Sequence, residues 1–249
     1  MRRKDILEKK PMLFKKIIQA CLYITIFSFL WSCCHQVPPI AYSNKINDHF
    51  KSYIYIQNTV KIGEEITIGS FAGTGAVIKH DQEFYILTAA HVCYPHLFAP
   101  SDMQIPPEEM TQDFSAFNYA GEEIGVEILK FDVKNDLCLL EFDNGILKLP
   151  GLKLAKKEPV IGDVVYIMAG PHGYWSPPSV PIFKGHYSGL NSFGEEVYSL
   201  HIGPGSSGGA VLNEKNQLVG IATAGFIFDM NIAIGSGLET IREFISSSE

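Results

Sequence analysis

Cysteine is scarce in this chain. Five cysteines occur in 249 residues, and only Cys93 and Cys138 lie beyond residue 34. Two cysteines do not make a disulfide framework of the kind that holds small secreted domains together. They either pair with each other in an oxidising compartment or are two small buried residues, and we favour the second interpretation.

Patterns for metal and nucleotide binding are also missing from the sequence. His91 and His96 stand on either side of Cys93 and Pro95, a spacing that does not place metal ligands on one helical face. No nucleotide-binding motif occurs along the chain. We therefore expect no metal and no cofactor.

Acidic residues outnumber basic ones, 27 to 20, and the chain has a net charge of −7. The first 35 residues hold seven basic and two acidic side chains, so the remainder carries a net charge of −12. An acidic body is repelled by phosphate backbones and by anionic lipid surfaces. The charge therefore argues against nucleic acid as a partner.

One long apolar run is present, IIQACLYITIFSFLWS at residues 17–32, directly after the basic N-terminal stretch. This order is typical of a signal peptide or a signal anchor, and the length of the run does not separate the two. We assign residues 1–34 to a signal peptide, lipoprotein signal or signal anchor and residues 35–50 to a linker. The rest of the chain is expected outside the cytoplasm (periplasmic, on the cell surface or secreted) and associated with the membrane.

The apolar run ends in LWSC, residues 30–33, which resembles a bacterial lipoprotein signal. A branched apolar residue lies three positions before Cys33, and the small Ser32 lies directly before it. Two interpretations stay open. Either Cys33 carries a lipid, or Cys33 and Cys34 are ordinary residues of a segment close to the membrane.

Short strand-like segments, divided by glycine, proline and Asn/Asp turns, make up most of the chain after residue 51. Because helical stretches do not alternate with them, the pattern favours a β-sandwich or barrel over a parallel α/β sheet. Helical spacing at residues 237–245 predicts a C-terminal helix, and two proline-rich segments, 96–114 and 171–181, are predicted to be long loops. The predicted strands are SYIYIQ, TGAVIK, EFYILTAA, EIGVEILKF, DLCLLEF, GDVVYIMAG, EVYSLHIG, AVLN, QLVGIATAG and NIAIG.

The stretch GPGSSGG, residues 203–209, places Ser206 and Ser207 between glycines. It fits the G-x-S-x-G nucleophile elbow of α/β-hydrolases. That fold requires a histidine after the serine, whereas His201 is the last histidine of this chain, and the helices of the fold are missing. The order of residues therefore disfavours an α/β-hydrolase, and any base must lie upstream.

His91 and Asp136 are the upstream candidates. His91 follows the apolar strand EFYILTAA, whose small final residues let an imidazole lie close to a neighbouring backbone, and Asp136 opens the apolar strand DLCLLEF. Taken alone, such residues are more often a buried or turn histidine and a turn cap. An acid beside buried strand residues also holds an imidazole in one tautomer and stabilises its charged form.

Three blocks contain these candidates in one order: TAAH at 88–91, DLCLL at 136–140 and PGSSGGAV at 204–211. They resemble the signature blocks of the chymotrypsin-like serine proteases, which come in the order His, Asp, Ser. Further segments, from FAGTGAVI to NIAIGSGLETIREF, resemble the bacterial trypsin-like, HtrA-type catalytic domain, here expected without a PDZ domain. The resemblance implies an all-β fold, a two-lobed antiparallel double β-barrel over residues 51–249.

The resemblance also implies a role for each block. Ser207, which precedes two glycines, would be the nucleophile, His91 the general base and then general acid, and Asp136 the residue that orients His91. The backbone N–H groups of Gly205 and Ser207 would form the oxyanion hole. Many members of the family have an aspartate before the nucleophile that accepts a freed N-terminal ammonium. Here that residue is Ser206, so activation by such an ion pair is not expected.

For substrate binding, the resemblance indicates His201, Thr223 and Gly225. The residue six before the nucleophile, here His201, would lie at the base of the pocket for the side chain that precedes the scissile bond. Thr223 to Gly225 would form the wall of that pocket and pair with the substrate as an added strand. A histidine at the base argues against lysine or arginine in the substrate, while acidic, amide and medium apolar side chains stay open, as does a solvated His201 without a role.

The leading hypothesis is an exported serine endopeptidase that hydrolyses protein or peptide substrates through an acyl-enzyme on Ser207. One alternative is a catalytically silent peptide-binding or scaffold protein on the same fold. Another is an esterase that uses the same residues. In each case no nucleic acid is expected, and membrane association would come from the N-terminal segment or from a lipid on Cys33.

Overall fold

A computed structural model describes residues 46–63, 66–95, 110–226 and 229–247. These residues belong to one compact unit, Lys45–Glu249. The leader predicted for residues 1–34, including Cys33, and most of the predicted linker lie outside the described residues, so these assignments stay predictions. Among the helices of the described ranges, none combines the length and the apolar character needed to cross a membrane.

The first lobe is a seven-stranded sheet whose neighbouring strands are antiparallel. Its strands are β1 (Tyr53–Ile62), β2 (Ile66–His80), β3 (Glu83–Thr88), β4 (Met110–Asn118), β5 (Glu123–Ile124), β6 (Val126–Asp132) and β7 (Leu137–Phe142). They lie in the order β5-β4-β1-β2-β3-β7-β6. The pairing of β3 with β7 matters most for function, because it brings together two segments that are far apart in the chain.

The second lobe is a closed six-stranded barrel with the strand order β10-β13-β12-β11-β8-β9. Its strands are β8 (Val164–Met168), β9 (Ile182–Leu190), β10 (Glu196–Ser199), β11 (Gly209–Asn213), β12 (Leu218–Phe226) and β13 (Asp229–Gly237). Short helices occur at Ala90–Cys93 and Asn144–Leu147, 3₁₀ turns at Asp48–Ser52 and Pro171–Gly173, and a longer helix at Leu238–Ser246. The all-β, two-lobed fold and the C-terminal helix confirm the prediction from the sequence, with a half-barrel sheet in the first lobe and a closed barrel in the second.

The two lobes share an apolar core. The C-terminal helix buries Leu238, Ile241, Phe244 and Ile245 on one face, and the last three belong to a cluster with side chains of both sheets. Members from the first lobe include Ile78, Leu87 and Leu137, and members from the second include Met168, Leu212 and Leu218. Burial of apolar surface between the sheets therefore stabilises the lobes as one body.

Two strands were not predicted, β4 and β9. The first residues of β4 fall in the segment 96–114 that we predicted to be a loop, and residues 96–109 of that segment lie outside the described ranges. Both strands are exposed at alternate positions, and β9 contains two glycines. Their local sequences are weak strand signals, and they are ordered by pairing with β1 and β8.

The interpretation of Cys93 and Cys138 as two unpaired buried residues was wrong. Their sulfur atoms form a disulfide, and both residues are fully buried. Cys93 ends the short helix that contains His91, whereas Cys138 is the second residue of β7, two residues after Asp136. The sequence alone did not show that β3 and β7 are neighbours, and that adjacency is what brings the cysteines together.

Loss of the disulfide should lower stability without changing the fold. Closing a loop with a sequence separation of 45 residues removes chain entropy from the unfolded state worth about 4 kcal/mol. Urea unfolding of the wild type should therefore have a lower midpoint in dithiothreitol than under oxidising conditions. The Cys93→Ala/Cys138→Ala variant serves as the control, because its midpoint should not respond to the reductant. An oxidised wild type that is no more stable than the reduced protein would contradict this account.

Candidate active site

Strand pairing in the first lobe places His91 beside Asp136. Thr88 of β3 pairs with Cys138 of β7 in an antiparallel register. His91 follows Thr88 by three residues and Asp136 precedes Cys138 by two, so both residues leave the sheet at the same end. The disulfide links Cys93 to Cys138 at this end as well.

The carboxylate of Asp136 holds His91 by two hydrogen bonds. One oxygen lies 2.7 Å from Nδ1 of the imidazole, and the other accepts the backbone N–H of His91 at 2.9 Å. With Nδ1–H donated to the carboxylate, Nε2 is the basic nitrogen of a neutral imidazole. Ring orientation and tautomer are therefore both set by Asp136.

Local turn structure presents Asp136 to His91. Its backbone has a left-handed φ of 51°, a conformation that Asp adopts more readily than most residues. The preceding Asn135 is held from two sides, since its N–H donates to Asp132 and its carbonyl accepts the hydroxyl of Ser236 in β13 at 2.6 Å. The turn before β7 is thus bonded to the second lobe.

Ser207 comes from the second lobe, in the turn that leads into β11. Its hydroxyl lies 3.4 Å from the carbonyl oxygen of Thr223, and its backbone carbonyl accepts the N–H of Thr74 in β2. Ser207 and His91 line the same cavity of about 600 Å³, together with His172 and Gly205. The fold thus brings His91 and Ser207 to one cleft, with Asp136 bonded to His91.

Glycines shape the turn that contains Ser207. Gly205 and Gly208 have φ values of +93° and +84°, which only glycine adopts without strain, and a Cβ at Gly208 would overlap the carbonyl of Thr74. Gly205 and Ser207 line the cavity, and within the described ranges neither backbone N–H has a protein acceptor. Neither N–H group is thus occupied by a backbone acceptor of the described residues.

Ser206 points away from the cleft. It is 2% exposed, and its hydroxyl oxygen accepts the N–H of Gly203 at 3.1 Å while its own N–H donates to the carbonyl of Gly203. A neutral hydroxyl bonded within its own turn therefore occupies the position directly before Ser207.

Ser207 also lines a second cavity, of about 360 Å³. Thr223 and Gly225 line it, as the sequence suggested, and a bulge in the pairing of β12 with β13 falls at Thr223. The pairing of β12 with β11 ends at Ala222. The edge of β12 that faces β11 is therefore not covered by β11 from Thr223 onward. The apolar lining residues are Ile202, Pro204, Ala222, Ala224, Phe226 and Met230.

His201 does not line this cavity. Its side chain is exposed, its ring lies 5.1 Å from the ring of Phe183, and its Nδ1 lies 3.3 Å from Asn231. The chain alternates between buried and exposed residues here, so the neighbouring Ile202 faces inward and is 5% exposed. The alternation of buried and exposed residues would have indicated Ile202 as the pocket residue, whereas the count of six residues before Ser207 indicated His201.

Thr74 is a site residue that sequence reasoning missed. It is fully buried in β2, and its hydroxyl donates to the carbonyl of Gly205 at 2.8 Å and accepts the N–H of Gly170 at 3.0 Å. Tyr53 lies beside Gly170, and burial raises the pKa of its phenol, so this neighbour is uncharged at neutral pH. The signal in the sequence that could have indicated Thr74 was its position between two glycines in FAGTGAVI.

Metal ligands do not converge at the cleft. Across the parts of the chain that the structure describes, no three His, Cys, Asp or Glu side chains come together as a metal site would require. The polar groups of the cleft are instead an imidazole, a carboxylate, a hydroxyl and backbone N–H groups.

Known proteases are similar to this chain in sequence and in fold. The periplasmic pH-dependent serine endoprotease DegQ of Escherichia coli is 29% identical over 160 residues, which are 62% of this chain and 32% of DegQ. A glutamyl endopeptidase of Staphylococcus aureus is 26% identical over 223 residues, 86% of this chain and 62% of the relative. The chain thus spans less than two thirds of the length of either relative.

A solved structure shares the fold described above. The serine endoprotease from Yersinia pestis superimposes with a TM-score of 0.58 at 20% identity, over 81% of this chain and 66% of that one. In sequence, the profile of the trypsin-like peptidase domain matches residues 73–221, a range that contains His91, Asp136 and Ser207. The chain therefore belongs to the trypsin-like peptidase domain family.

Proposed function

We propose that the chain is a serine endopeptidase that cleaves protein or peptide substrates through an acyl-enzyme on Ser207. The observation that carries the proposal is the geometry of the cleft. His91 is held by Asp136 through two hydrogen bonds, and it shares a cavity with Ser207 and with two N–H groups that have no acceptor among the described residues. A silent scaffold with a collapsed oxyanion turn would not present these donors.

In the first half of the reaction, the hydroxyl oxygen of Ser207 attacks the carbonyl carbon of the scissile peptide bond. His91 accepts the hydroxyl proton at Nε2, and the Asp136 carboxylate stabilises the imidazolium that results. The carbonyl oxygen becomes an oxyanion that accepts hydrogen bonds from the N–H groups of Gly205 and Ser207. His91 then donates its proton to the leaving amine as the C–N bond breaks.

In the second half, water replaces the amine. His91 takes a proton from the water molecule, the resulting hydroxide attacks the ester of Ser207, and a second oxyanion forms at the same N–H groups. Collapse of that intermediate returns the proton from His91 to the Ser207 hydroxyl and releases the carboxylic acid. The enzyme is thereby restored without a cofactor.

The substrate would bind as an extra strand along Thr223–Gly225, whose edge is uncovered by β11. Its side chain before the scissile bond would enter the cavity of about 360 Å³ beside Ser207. The described residues that line this cavity include no charged side chain, so a carboxylate or an ammonium would lose its hydration without a partner. A medium-sized apolar side chain fits this lining best, and the preference would differ from the one that the name glutamyl endopeptidase gives to its relative.

A location outside the cytoplasm fits two observations. The chain contains a buried disulfide, which forms and persists in oxidising compartments, and a similar protease is named as periplasmic. Anchoring by residues 17–32 or by a lipid on Cys33 remains part of the proposal.

Labelling with a fluorophosphonate probe tests the nucleophile. Ser207→Ala should reduce labelling to background because the attacking oxygen is gone. Ser206→Ala removes a buried hydroxyl that bonds to Gly203, so labelling should become slower but remain measurable. In-gel fluorescence over time gives both rates. Labelling that survives in Ser207→Ala and disappears in Ser206→Ala would reverse the assignment, and an unlabelled wild type would favour the scaffold.

A peptide library that varies the residue before the scissile bond tests the pocket. We expect aliphatic residues to be preferred over Glu, Lys and Arg in kcat/KM. The Ile202 side chain lies against Gly225, so that a Cβ at Gly225 would overlap it. Ile202→Ala should therefore enlarge the cavity and raise the Phe-to-Val ratio of kcat/KM by about 10-fold or more.

Two matched variants accompany this measurement. Ile202→Val removes one methylene group and should shift the ratio only slightly. His201→Ala tests the expectation from the sequence directly, because a changed side-chain preference in this variant would restore His201 as the base of the pocket. A wild type that prefers glutamate would overturn the apolar assignment.

A further inference from the structure

Thr74 has a hydrogen-bonding partner for every polar atom. Its N–H donates to the carbonyl of Ser207 at 2.8 Å, and its own carbonyl accepts the hydroxyl of Thr88 at 2.7 Å. Its hydroxyl donates to the carbonyl of Gly205 and accepts the N–H of Gly170. One buried residue of the first lobe is thus bonded to the turn at Ser207 and to the segment after β8.

These bonds fix which way the peptide groups of the turn face. The carbonyls of Gly205 and Ser207 both point to Thr74, and the carbonyl of Ser206 accepts the N–H of Gly209 at 2.9 Å. Three successive carbonyls are therefore held inside the protein. The middle one shares its peptide group with the N–H of Ser207, and the bonds to Thr74 hold the peptide groups on either side of it. Rotation of the peptide plane after Gly205 would break the bond to the Thr74 hydroxyl and leave a buried carbonyl unpaired.

Glycine makes such a restraint necessary. Gly205 has no Cβ and its φ is +93°, so its backbone has more accessible conformations than any other residue would have at this position. The backbone N–H of Thr74 would bond to Ser207 whatever the side chain, but the bond to Gly205 depends on the hydroxyl. The side chain of Thr74 therefore acts on the peptide group between Gly205 and Ser206, which connects the two donor residues of the proposed oxyanion hole.

We propose that Thr74 is a positioning residue for catalysis, whose hydroxyl holds the peptide group between Gly205 and Ser206 and thereby keeps the two N–H groups that flank this peptide, those of Gly205 and Ser207, directed at one developing oxyanion. This inference rests on the proposed function. It differs from a purely structural role in one respect: the hydroxyl should matter more for the transition state than for the bound substrate, because the oxyanion forms only in the transition state.

The test compares Thr74→Val with Thr74→Ser in steady-state kinetics and in the binding of a peptide boronic acid with an aliphatic side chain. Valine keeps the branched shape and the backbone N–H but lacks the hydroxyl. We expect kcat to fall about 10- to 100-fold with KM within about 3-fold, less than the loss for removing an oxyanion donor outright. Boronate affinity should weaken by a similar factor, and Thr74→Ser should stay within about 3-fold of the wild type.

Two further variants separate positioning from stability. Thr74→Ala also lacks the hydroxyl but leaves room for a water molecule between Gly205 and Gly170, which keeps the test usable if the valine variant does not fold. Ser52→Ala removes another buried hydroxyl bond, to the carbonyl of His49 at 2.6 Å, far along the chain from the turn. It should lower the melting temperature with unchanged kcat.

Each outcome decides the proposal. A loss of kcat and of boronate affinity in Thr74→Val and Thr74→Ala, with recovery in Thr74→Ser, supports it. If the wild type is active and loss of the hydroxyl leaves kcat unchanged, or changes KM alone, the role of Thr74 is overturned and the proposed function stays intact. A wild type that neither cleaves peptides nor reacts with the fluorophosphonate probe overturns both.

Discussion

The hydrogen bonds from Thr74 to the turn at Ser207 are the constraint on which the rest of the site depends. The imidazole and its carboxylate belong to the first lobe, whereas the hydroxyl and the N–H donors belong to the second. Apolar burial between the lobes is strong but non-directional, so it does not define where one lobe stands relative to the other within an ångström. The two hydrogen bonds from Thr74, each 2.8 Å long, are directional and therefore define that position.

The first lobe holds His91 and Asp136 next to each other. The pairing of β3 with β7 places them at one end of the sheet, the disulfide joins the same two segments, and Ser236 holds the turn before Asp136 from the second lobe. Each support acts on the backbone near the pair. Because the backbone is held in this way, the side chains of His91 and Asp136 keep the hydrogen bond between them that the proposed reaction at Ser207 requires.

Much of this architecture could be predicted from the sequence. Strand-like segments without intervening helices predicted the all-β fold. The order of three short blocks indicated His91 and Ser207, which line one cleft, and Asp136, which bonds to His91. The errors came where local sequence carries little information. β4 and β9 are half-exposed strands ordered by their neighbours, and the cysteines pair because β3 and β7 are adjacent. The role of His201 in the pocket stays a prediction, while Ile202 is the residue that lines the cavity.

The sequence by itself determined the residue types and their order along the chain: a histidine after a strand, an aspartate before another, and a serine between glycines that permit φ values near +90°. Those features are local, because the conformations open to the backbone at one position depend mainly on that residue and its neighbours in the chain. The tertiary structure decided which N–H groups stay available, which side chains line the pocket, and that Thr74 joins the two lobes. These properties depend on contacts between residues as far apart as Thr74 and Gly205, and no local pattern specifies them.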